Sequence, residues 1–336
     1  MTDHFAEIAR PRDLQKLHRE HPSRYPFLLQ STATGGALGR FDILFAFPGE
    51  TLELGPAGAL RGRGAPPGAS FLNALDEWWS EERVPSANSS LPFLGGWFLF
   101  IGYELAGQIE PALTLRCDAR LPTAFAVRCK TALIFDHVES RCYLVSETRD
   151  REDAAQLRRD VTALDAPVDL SGEILRSVQE DDAGQFTEAV AKAKDYIAAG
   201  DIYQANLSRE WSAEIGADVS ASQLYTILCR TNPGPFAGLA HWRGIDIISS
   251  SPERLLRLRN GVATTRPIAG TRPRSRNDAL DSTLSAELFS DHKERAEHVM
   301  LIDLERNDLG RVCEAGSVEV DEMMVLESYA HVHHIV

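Results

Sequence analysis

Arg266-Pro267-Ile268-Ala269-Gly270-Thr271-Arg272-Pro273-Arg274 is the stretch of this chain that says most about its fold. Just before it, Asn260-Gly261 follows the partly alternating run Leu255–Leu258. Asn-Gly is the strongest two-residue hairpin signal, because both turn residues must adopt positive φ. The sequence therefore predicts an antiparallel hairpin that leads directly into the quoted stretch.

The predicted hairpin brings an acidic residue to this stretch. If pairing continues undisturbed from the turn, Glu253 lies opposite Ile268 and diagonal to Ala269. Pro252 and Pro267 cannot donate hydrogen bonds to the ladder, so we expect the pairing to open there into an irregular, concave end. The pattern predicts a carboxylate beside the Ile-Ala-Gly-Thr segment, without fixing the pleat face that it occupies.

Composition limits the class of protein. The chain has 336 residues, 43% of them hydrophobic and 25% charged, which provides apolar material for one large globular domain or two. Its formal charge of -14 argues against a nucleic-acid-binding protein, because phosphate neutralisation needs a basic surface. An anionic ligand would have to be held by a local arginine cluster, by helix N-termini or by a metal ion.

The cysteines and the start of the chain indicate the compartment. The cysteines are odd in number and scattered without paired spacing: Cys117, Cys129, Cys142, Cys229 and Cys313. This usage is typical of reduced thiols in a cytosol rather than of disulfides or a zinc site. The segment Met1–Glu7 carries acids and lacks an apolar core, and no run reaches a membrane-spanning length. We predict a soluble, cytoplasmic protein without a membrane partner.

The chain divides into two blocks. The first, residues 1–150, contains runs rich in aromatic and β-branched residues that predict strands: Phe41–Phe47, Trp97–Tyr103 and Thr131–Phe135. Residues 151–182 are strongly polar, and we interpret them as a connection with one short helix around Ala154–Leu164. Residues 183–336 form the second block, in which the motifs lie.

Two amphipathic helices are predicted in the second block. One ends at Gly200 and has apolar residues at helical spacing: Phe186, Val190, Ala193 and Ile197. The other runs from about Asp291 to Glu305, and its apolar residues form a stripe: Ala296, Val299, Met300 and Leu304. Polar residues near its end predict a buried hydrogen-bonded network: Asp303, Arg306, Asn307 and Asp308.

The order of several short strings resembles one enzyme family. Besides the quoted stretch, these strings are Ser249–Leu256, Asp201–Arg209, Lys293–His298 and Leu301–Val312. The chain is similar to component I of aminodeoxychorismate synthase, and more distantly to component I of anthranilate synthase, among the chorismate-utilising enzymes. The resemblance runs from about Phe27 to the last residue. It implies an α+β fold in which two antiparallel β-sheets pack face to face with helices outside.

The resemblance also implies roles for acidic and imidazole side chains. Glu253 and His334 match proton-handling residues, and Glu297 matches a ligand of Mg²⁺. An imidazole suits proton transfer because its ordinary pKa is near neutrality. A carboxylate on a rigid helix suits Mg²⁺, which keeps waters and bridges to substrate anions. Without the family match, Glu297 would be interpreted as the ion-pair partner of Lys293, and His334 as a core histidine.

The chorismate pocket is implied at Ala269, Gly270 and Thr271. Some aminodeoxychorismate synthases carry a lysine at the first of these positions that attacks the ring covalently, so Ala269 excludes that route here. The chain also carries His331 and His333 close to the histidine assigned to proton transfer. Strand alternation sends these two to one face and that histidine to the other, which argues against a metal site of all three.

The implied activity is amination of chorismate at C4 with glutamine-derived ammonia, which gives 4-amino-4-deoxychorismate for p-aminobenzoate and folate. Within the family, this branch is favoured by Gln204–Leu207, Pro235–Ala237, Arg40–Ile43 and His333. The alternatives are component I of anthranilate synthase and a non-catalytic scaffold or partner-binding subunit. The string Leu28–Ser31 is similar to a tryptophan-pocket string of the family but has Gln30 in place of glutamate, so such a pocket stays an open question.

The resemblance further implies a partner and a missing segment. The chain has no nucleophilic-elbow cysteine with a matching histidine, so we expect ammonia from a separate glutaminase subunit, component II. Family members continue beyond the position of Val336 through segments that complete the carboxylate pocket and supply a second metal-binding glutamate. We therefore expect residues 1–336 to be incomplete at the C-terminus, to expose apolar surface and to lack amination activity when alone.

Overall fold

A computed structural model describes residues 5–8, 13–33, 39–65, 68–84, 89–147, 151–162 and 174–336. Helices and strands are interleaved along these residues, and every strand pairing among them is antiparallel. The α+β class predicted from the sequence is confirmed.

The strands of the described residues are, in chain order, β1 (Phe5–Ile8), β2 (Phe27–Gln30), β3 (Phe41–Leu54), β4 (Leu60–Gly62), β5 (Gly96–Ile101), β6 (Ala124–Asp136), β7 (Arg141–Ser146), β8 (Leu175–Glu180), β9 (Trp211–Ile215), β10 (Phe236–Trp242), β11 (Ile245–Ser251), β12 (Arg254–Arg259), β13 (Val262–Arg266), β14 (Ala269–Pro273), β15 (Leu326–Ser328) and β16 (Val332–Ile335). The runs predicted as strands around Phe41, Trp97 and Thr131 are confirmed as parts of β3, β5 and β6.

The α-helices are α1 (Leu14–Glu20), α2 (Phe71–Glu82), α3 (Ala106–Ile109), α4 (Arg151–Thr162), α5 (Ala183–Ala199), α6 (Ala221–Thr231), α7 (Asp278–Ser290) and α8 (His292–Gly310). The helix predicted around Ala154 is α4, and the last two residues of that prediction lie outside the described residues. Within the described ranges, no helix combines the length and the apolar character needed to cross a membrane.

One nine-stranded sheet organises the first part of the molecule. Its neighbours follow the order β1-β7-β6-β3-β2-β10-β11, with β4 beside β3 and β5 beside β6. Strands β10 and β11 come from the second predicted block, and β10 pairs directly with β2. The division of the chain at residues 151–182 stays a prediction.

The core of the molecule lies on both faces of this sheet. Leu17 of α1, Leu157 of α4 and Tyr225 of α6 pack on one group of its buried side chains. Aromatic rings form another group, in which the Phe125 ring stacks on Trp242 with centroids 4.3 Å apart. Central strand β6 is buried along nearly its whole length, which shows that helices and loops cover both sides.

A buried arginine is the main polar element of this core. The Nη2 of Arg128 donates to Glu147 Oε2 at 2.6 Å, its Nε donates to Glu82 Oε2 at 3.0 Å, and its Nη1 donates to the Gly96 carbonyl at 2.8 Å. The guanidinium also lies 4.4 Å from the Trp97 ring centroid. These partners compensate the cost of removing the charge from water.

The other described strands form three small sheets: β8–β9, β12–β13 and β14–β16–β15. The family resemblance implied two packed antiparallel sheets; the strands outside the nine-stranded sheet are antiparallel as well and fall into these three groups. Pairing of β12 with β13 ends at Arg254 and Arg266, and Pro267 separates β13 from β14. A proline cannot donate to a ladder, so the predicted opening at this end of the hairpin is confirmed.

The hairpin turn is confirmed as well. Asn260 has φ 52° and Gly261 has φ 78°, the left-handed values that an Asn-Gly turn requires. The register of β12 against β13 shifts between Arg254 and Arg257, so the strand pairing is disturbed before it reaches Glu253. The side chain of Glu253, rather than the ladder, makes the connection to the next segment.

Helix α8 extends over the predicted span and five residues beyond it. Asp291 lies just before its first turn and caps it with a side-chain oxygen. Val299 and Leu304 of the apolar stripe are exposed, whereas His298 is buried. The buried face of α8 is therefore not the stripe but the side that carries Glu294 and His298 and packs against β14.

The predicted buried network at the end of α8 was wrong. Arg306 Nη1 donates to Asp303 Oδ1 at 3.1 Å, but both side chains are more than half exposed. Asn307 and Asp308 are exposed too. Charged side chains that remain in water need no compensating partners, so this end of α8 forms only a surface ion pair.

Candidate active site

The quoted stretch becomes β14, a strand of the three-stranded sheet β14–β16–β15. On this sheet, His334 of β16 is the register partner of Thr271 on β14 and of Glu327 on β15. Directly paired residues project from the same face of a sheet. The three side chains therefore form a row, the Thr271–His334–Glu327 row, across all three strands.

His334 is buried in the middle of this row. Its Nδ1 lies 2.9 Å from Thr271 Oγ1, and its ring centroid lies 5.7 Å from that of Tyr329. Burial lowers the pKa of His334 below its ordinary value, although a hydrogen bond to the Gly270 backbone and the charge of Glu327 act against this. The imidazole is therefore mainly neutral near pH 7.

The prediction that Glu253 lies at the Ile-Ala-Gly-Thr segment is confirmed. Its Oε1 accepts a hydrogen bond from the Ile268 amide at 3.0 Å. The side chain is otherwise exposed, and its charge acts on His334. The segment Ile268–Thr271 thus has a carboxylate at one end and an imidazole at the other.

Gly270 occupies a position that only glycine fits. Its φ is +72°, in the left-handed region, and the register of β14 against β16 shifts between Ala269 and Thr271. This is the geometry of a β-bulge. A Cβ atom at this residue would lie 3.0 Å from Glu294 Oε2 and 3.1 Å from Leu288 Cδ1. The close approach brings β14 against α7 and α8.

Ion pairs fix β14 to the start of α8. Arg272 Nη2 lies 3.0 Å from Asp291 Oδ2, and its Nη1 lies 3.2 Å from Glu294 Oε1. The other oxygen of Asp291 accepts a hydrogen bond from the Lys293 amide at 2.9 Å, which caps the helix. Backbone amides of α8 lower the pKa of Asp291, so this anchor stays ionised.

Glu297 lies one turn further along α8. Its Oε2 is 3.6 Å from Lys293 Nζ, and its Oε1 accepts a hydrogen bond from Gln204 Nε2 at 3.3 Å. The ion pair expected from the sequence is thus present, and the side chain remains 33% exposed. Among the described residues, no hydrogen bond or ion pair joins Glu297 to Glu253 or His334. Its assignment as a metal ligand stays a prediction.

The histidines near the end of the chain have separate partners. His333 Nε2 lies 3.1 Å from Asp281 Oδ1 on α7, whereas His334 Nδ1 contacts Thr271. His331 lies before β16 and contacts a main-chain carbonyl of α6. As strand alternation predicted, His333 and His334 are directed to different sides. Nowhere in the described ranges do three or more histidine, cysteine or acidic side chains form a group suited to a metal ion.

Sequence reasoning missed the acidic member of the row. Arg266 Nε and Nη2 donate to Glu327 Oε1 at 2.9 and 2.7 Å, and the Tyr329 hydroxyl donates to Oε2 at 2.6 Å. Alternation could have placed Glu327 and Tyr329 on one face of a strand. Their pairing with β16 depends on a contact that sequence spacing alone does not give.

Glu305 is a second acidic residue that the sequence did not indicate. Burial raises its pKa, and the charges of Glu253 and Asp308 act in the same direction, while a hydrogen bond from Thr265 opposes them. Its Oε2 is buried without a hydrogen-bond partner in the described part of the chain. Glu305 lies two turns after Glu297 on α8, so helical spacing from a candidate site residue was the available signal.

Hydrogen bonds connect the string Leu28–Ser31 to neighbouring parts of the chain. Gln30 donates from Nε2 to Asp42 Oδ2 at 3.1 Å and accepts at Oε1 from Gln15 Nε2 at 3.0 Å. The Ser31 amide donates to the other oxygen of Asp42 at 3.0 Å. The amide that replaces the family's glutamate therefore takes part in a hydrogen-bonded network within the chain.

Comparison with known proteins identifies the class. Residues 49–336 match the family model for the chorismate binding enzyme. The chain belongs to the chorismate binding enzyme family. It is 42% identical over 275 residues to an "anthranilate synthase component I-like protein" of Synechocystis sp., a match that covers 80% of this chain and 55% of the relative.

Other relatives carry the names of two different synthases. The chain is 36% identical over 279 residues to the aminodeoxychorismate synthase component 1 of Bacillus subtilis, across 79% of this chain and 58% of the relative. It superposes on the crystal structure of anthranilate synthase component I from Streptococcus pneumoniae with a TM-score of 0.72 and 27% identity, covering 90% of this chain and 70% of that one. The chain thus spans little more than half the length of the two curated relatives.

Proposed function

We propose that this chain is the chorismate-binding part of component I of an aminodeoxychorismate synthase. In this proposal, it replaces the C4 hydroxyl of chorismate by an amino group and forms 4-amino-4-deoxychorismate, the precursor of p-aminobenzoate. Ammonia comes from glutamine through a separate glutaminase subunit, component II. The observation that carries the proposal is the segment Ile268–Thr271, which Glu253 holds at one end and His334 contacts at the other.

The same segment favours direct addition of ammonia. Ala269 is buried opposite Ile335 and carries no amine that could attack the ring. Ammonia itself therefore forms the new C–N bond as the C–O bond to the hydroxyl breaks. The reaction then needs one group that delivers a proton to the departing hydroxyl and another that takes a proton from the added ammonia.

Two residues of the site fit these proton transfers. His334 donates a proton to the departing hydroxyl, which leaves as water. Burial lowers the pKa of His334, and the nearby charges of Glu327 and Glu253 oppose this shift. Glu253 is exposed and accepts the proton that the added ammonium group loses. His334 thereby loses one proton and Glu253 gains one, so the two transfers balance.

Glu297 is the residue that would hold Mg²⁺. Its carboxylate is partly exposed on a rigid helix, and Mg²⁺ is commonly held by one or two protein carboxylates, with waters and substrate oxygens completing the shell. A bound Mg²⁺ would neutralise a substrate carboxylate and polarise the ring for loss of hydroxyl. Gln204 orients the carboxylate through its amide hydrogen bond.

Anthranilate synthase component I is the second candidate. The superposed crystal structure carries that name, and the Synechocystis relative is named anthranilate synthase component I-like. Three features of this chain support the C4 reaction instead: Asn206, Ala237 and His333. Of these, His333 is buried and forms a hydrogen bond with Asp281, which holds its side chain in the sheet that carries His334.

The product distinguishes the two candidates. Given chorismate, Mg²⁺ and ammonium, followed by a lyase, the full-length natural protein is expected to yield p-aminobenzoate, measured by chromatography. Ammonium as the nitrogen source removes the need for the glutaminase subunit. Fluorescent anthranilate as the sole product would assign the chain to the second candidate.

A metal titration tests Glu297. We expect Glu297→Gln to raise the Mg²⁺ concentration needed for half-maximal activity, because a neutral amide attracts a hard dication less than a carboxylate does. Lys293→Met is the matched control, since it removes the ion pair of Glu297 and leaves the carboxylate in place. An unchanged Mg²⁺ titration in Glu297→Gln would return this residue to the role of a surface ion-pair partner.

A further inference from the structure

Glu327 is the acidic member of the Thr271–His334–Glu327 row. We propose that Glu327 is a positioning residue whose carboxylate, fixed by Arg266 and Tyr329, stabilises the protonated form of His334. The inference rests on the proposed function, because it assigns a task to the neighbour of the residue that handles the proton.

The strand pairing places the two side chains together. Glu327 and His334 are direct register partners of β15 and β16, so their Cβ atoms are separated by roughly 5 Å on one face of the sheet. On the other flank, Thr271 Oγ1 lies 2.9 Å from His334 Nδ1. The imidazole therefore has a neutral hydroxyl on one side and a carboxylate on the other.

The carboxylate cannot easily turn away from this position. Arg266 holds Oε1 with two nitrogen donors at 2.9 and 2.7 Å, and the Tyr329 hydroxyl holds Oε2 at 2.6 Å. Charge-assisted hydrogen bonds of this kind are short and strong. The Tyr329 ring also lies beside the His334 ring, so the group that orients Glu327 limits the space available to the imidazole.

Arg266 does not cancel the charge of Glu327 completely. The same guanidinium binds Glu322, with Nη1 2.6 Å from its Oε2, so one positive charge is shared between two carboxylates. Glu322 is 55% exposed and Glu327 only 18%, which leaves the charge of Glu327 less screened by water. Glu327 thus still acts on His334 as a negative charge that favours the protonated imidazole.

The other charged groups near His334 are Glu253 and His333. Glu253 also favours the protonated imidazole, but it is exposed to solvent. His333 disfavours that form and is directed to Asp281 on α7. Burial of His334 disfavours protonation most, so a partly buried carboxylate on the neighbouring strand is well placed to oppose it.

Titration of the imidazole tests this coupling without substrate. The protein is labelled with ¹³C at the histidine Cε1 positions, and the His334 signal is assigned from its loss in His334→Asn. We expect Glu327→Gln to shift the midpoint of this signal to lower pH, because the amide keeps the shape of the side chain and removes its charge. Glu322→Gln, which also loses a charge paired with Arg266, is the matched control: it leaves Arg266 to Glu327 alone, so it should lower the midpoint by a smaller amount than Glu327→Gln does.

An unchanged midpoint in Glu327→Gln would overturn the inference, as would an equal shift in Glu322→Gln. Should Glu327→Gln fail to fold, as judged by thermal unfolding, Arg266→Met provides a second test. That change exposes the charge of Glu327, so the His334 midpoint should move to higher pH. A midpoint that stays constant or falls in Arg266→Met would contradict the inference.

The pH profile of the reaction separates this inference from the proposed function. If protonated His334 donates the proton, kcat falls as pH rises through its pKa, and Glu327→Gln moves this loss to lower pH with little change in KM. The conservative change Glu327→Asp should recover part of the activity. A shifted imidazole titration with an unshifted rate profile would support the coupling and reject His334 as the proton donor.

Discussion

The nine-stranded sheet and the strands that carry the candidate site are stabilised in different ways. In the sheet, Phe27, Phe125 and Trp242 are buried, and their rings stack on one another or on neighbouring rings. In hairpin β12–β13, Leu255 is 89% exposed and Leu258 is 71% exposed. Apolar packing therefore stabilises the first region, whereas the second leaves large apolar side chains in water.

Around the site, ion pairs between charged side chains connect the helices and strands. Arg266 joins β13 to β15, and Arg272 joins β14 to α8. Arg274 joins the end of β14 to Asp281 on α7. Each of these pairs connects two elements that lie next to the site. The difference teaches that the site depends on charge complementarity, while its supporting sheet depends on burial.

The largest effect should come from a cavity in the aromatic core. We expect Phe125→Ala to lower the free energy of unfolding by about 3–5 kcal/mol, because the lost burial leaves a space that rigid neighbours cannot fill. Leu255→Ala, in the exposed hairpin, should change it by no more than about 0.5 kcal/mol. Urea unfolding followed by tryptophan fluorescence measures both. A large cost for Leu255→Ala would show that this hairpin is packed in solution and would break the comparison.

A buried charge should matter more than an exposed one of the same type. Arg128→Gln is expected to cost about 3 kcal/mol or more, because it leaves the buried carboxylate of Glu147 without its partner. Arg306→Gln breaks an exposed pair with Asp303 and should cost about 1 kcal/mol or less. Equal midpoints of thermal unfolding for the two variants would contradict this contrast.

The smallest effect concerns the polar contacts around the site and depends on pH. Arg274 and the Ser275 amide hold the pKa of Asp281 well below its usual range. Such a carboxyl contributes stability that is present above its unfolded pKa, near 4, and is lost as pH falls through the folded value. Asp281→Asn should therefore be less stable than the natural protein at pH 7, and the difference should shrink toward pH 3.

Glu287→Gln, an exposed change on the same helix, is the control for this pH series. It should follow the natural protein at every pH. A stability difference for Asp281→Asn that stays constant between pH 7 and pH 3 would mean that the charge of Asp281 does not connect α7 to β14.

Local signals in the sequence were sufficient for the hairpin and for the position of Glu253 beside Ile268. The Asn260-Gly261 turn fixed the hairpin, and the short distance along the chain then brought Glu253 to Ile268. These features depend on neighbours in the sequence. The Thr271 contact of His334 depends on pairing of distant strands, and the family resemblance rather than spacing indicated that histidine.

Features that depend on distant partners could not be predicted in the same way. Helical periodicity located α8 but did not indicate its buried face, because Glu294 is held beside β14 by Arg272 and buried His298 contacts the Val336 backbone. Glu327 was missed for a similar reason, since its importance follows from the pairing of β15 with β16. A pattern of apolar residues carries no information about buried polar groups whose partners lie elsewhere in the chain.

The β-bulge at Gly270 also determines how far β14 can slide along β16. Slippage by one residue would put Gly270 or Arg272, instead of Thr271, opposite His334 and would reverse the face of every β14 side chain. The extra residue occupies a left-handed conformation that Ala269 and Thr271 cannot adopt without strain. The bulge therefore opposes slippage of β14 along β16 and keeps the hydroxyl of Thr271 beside the imidazole.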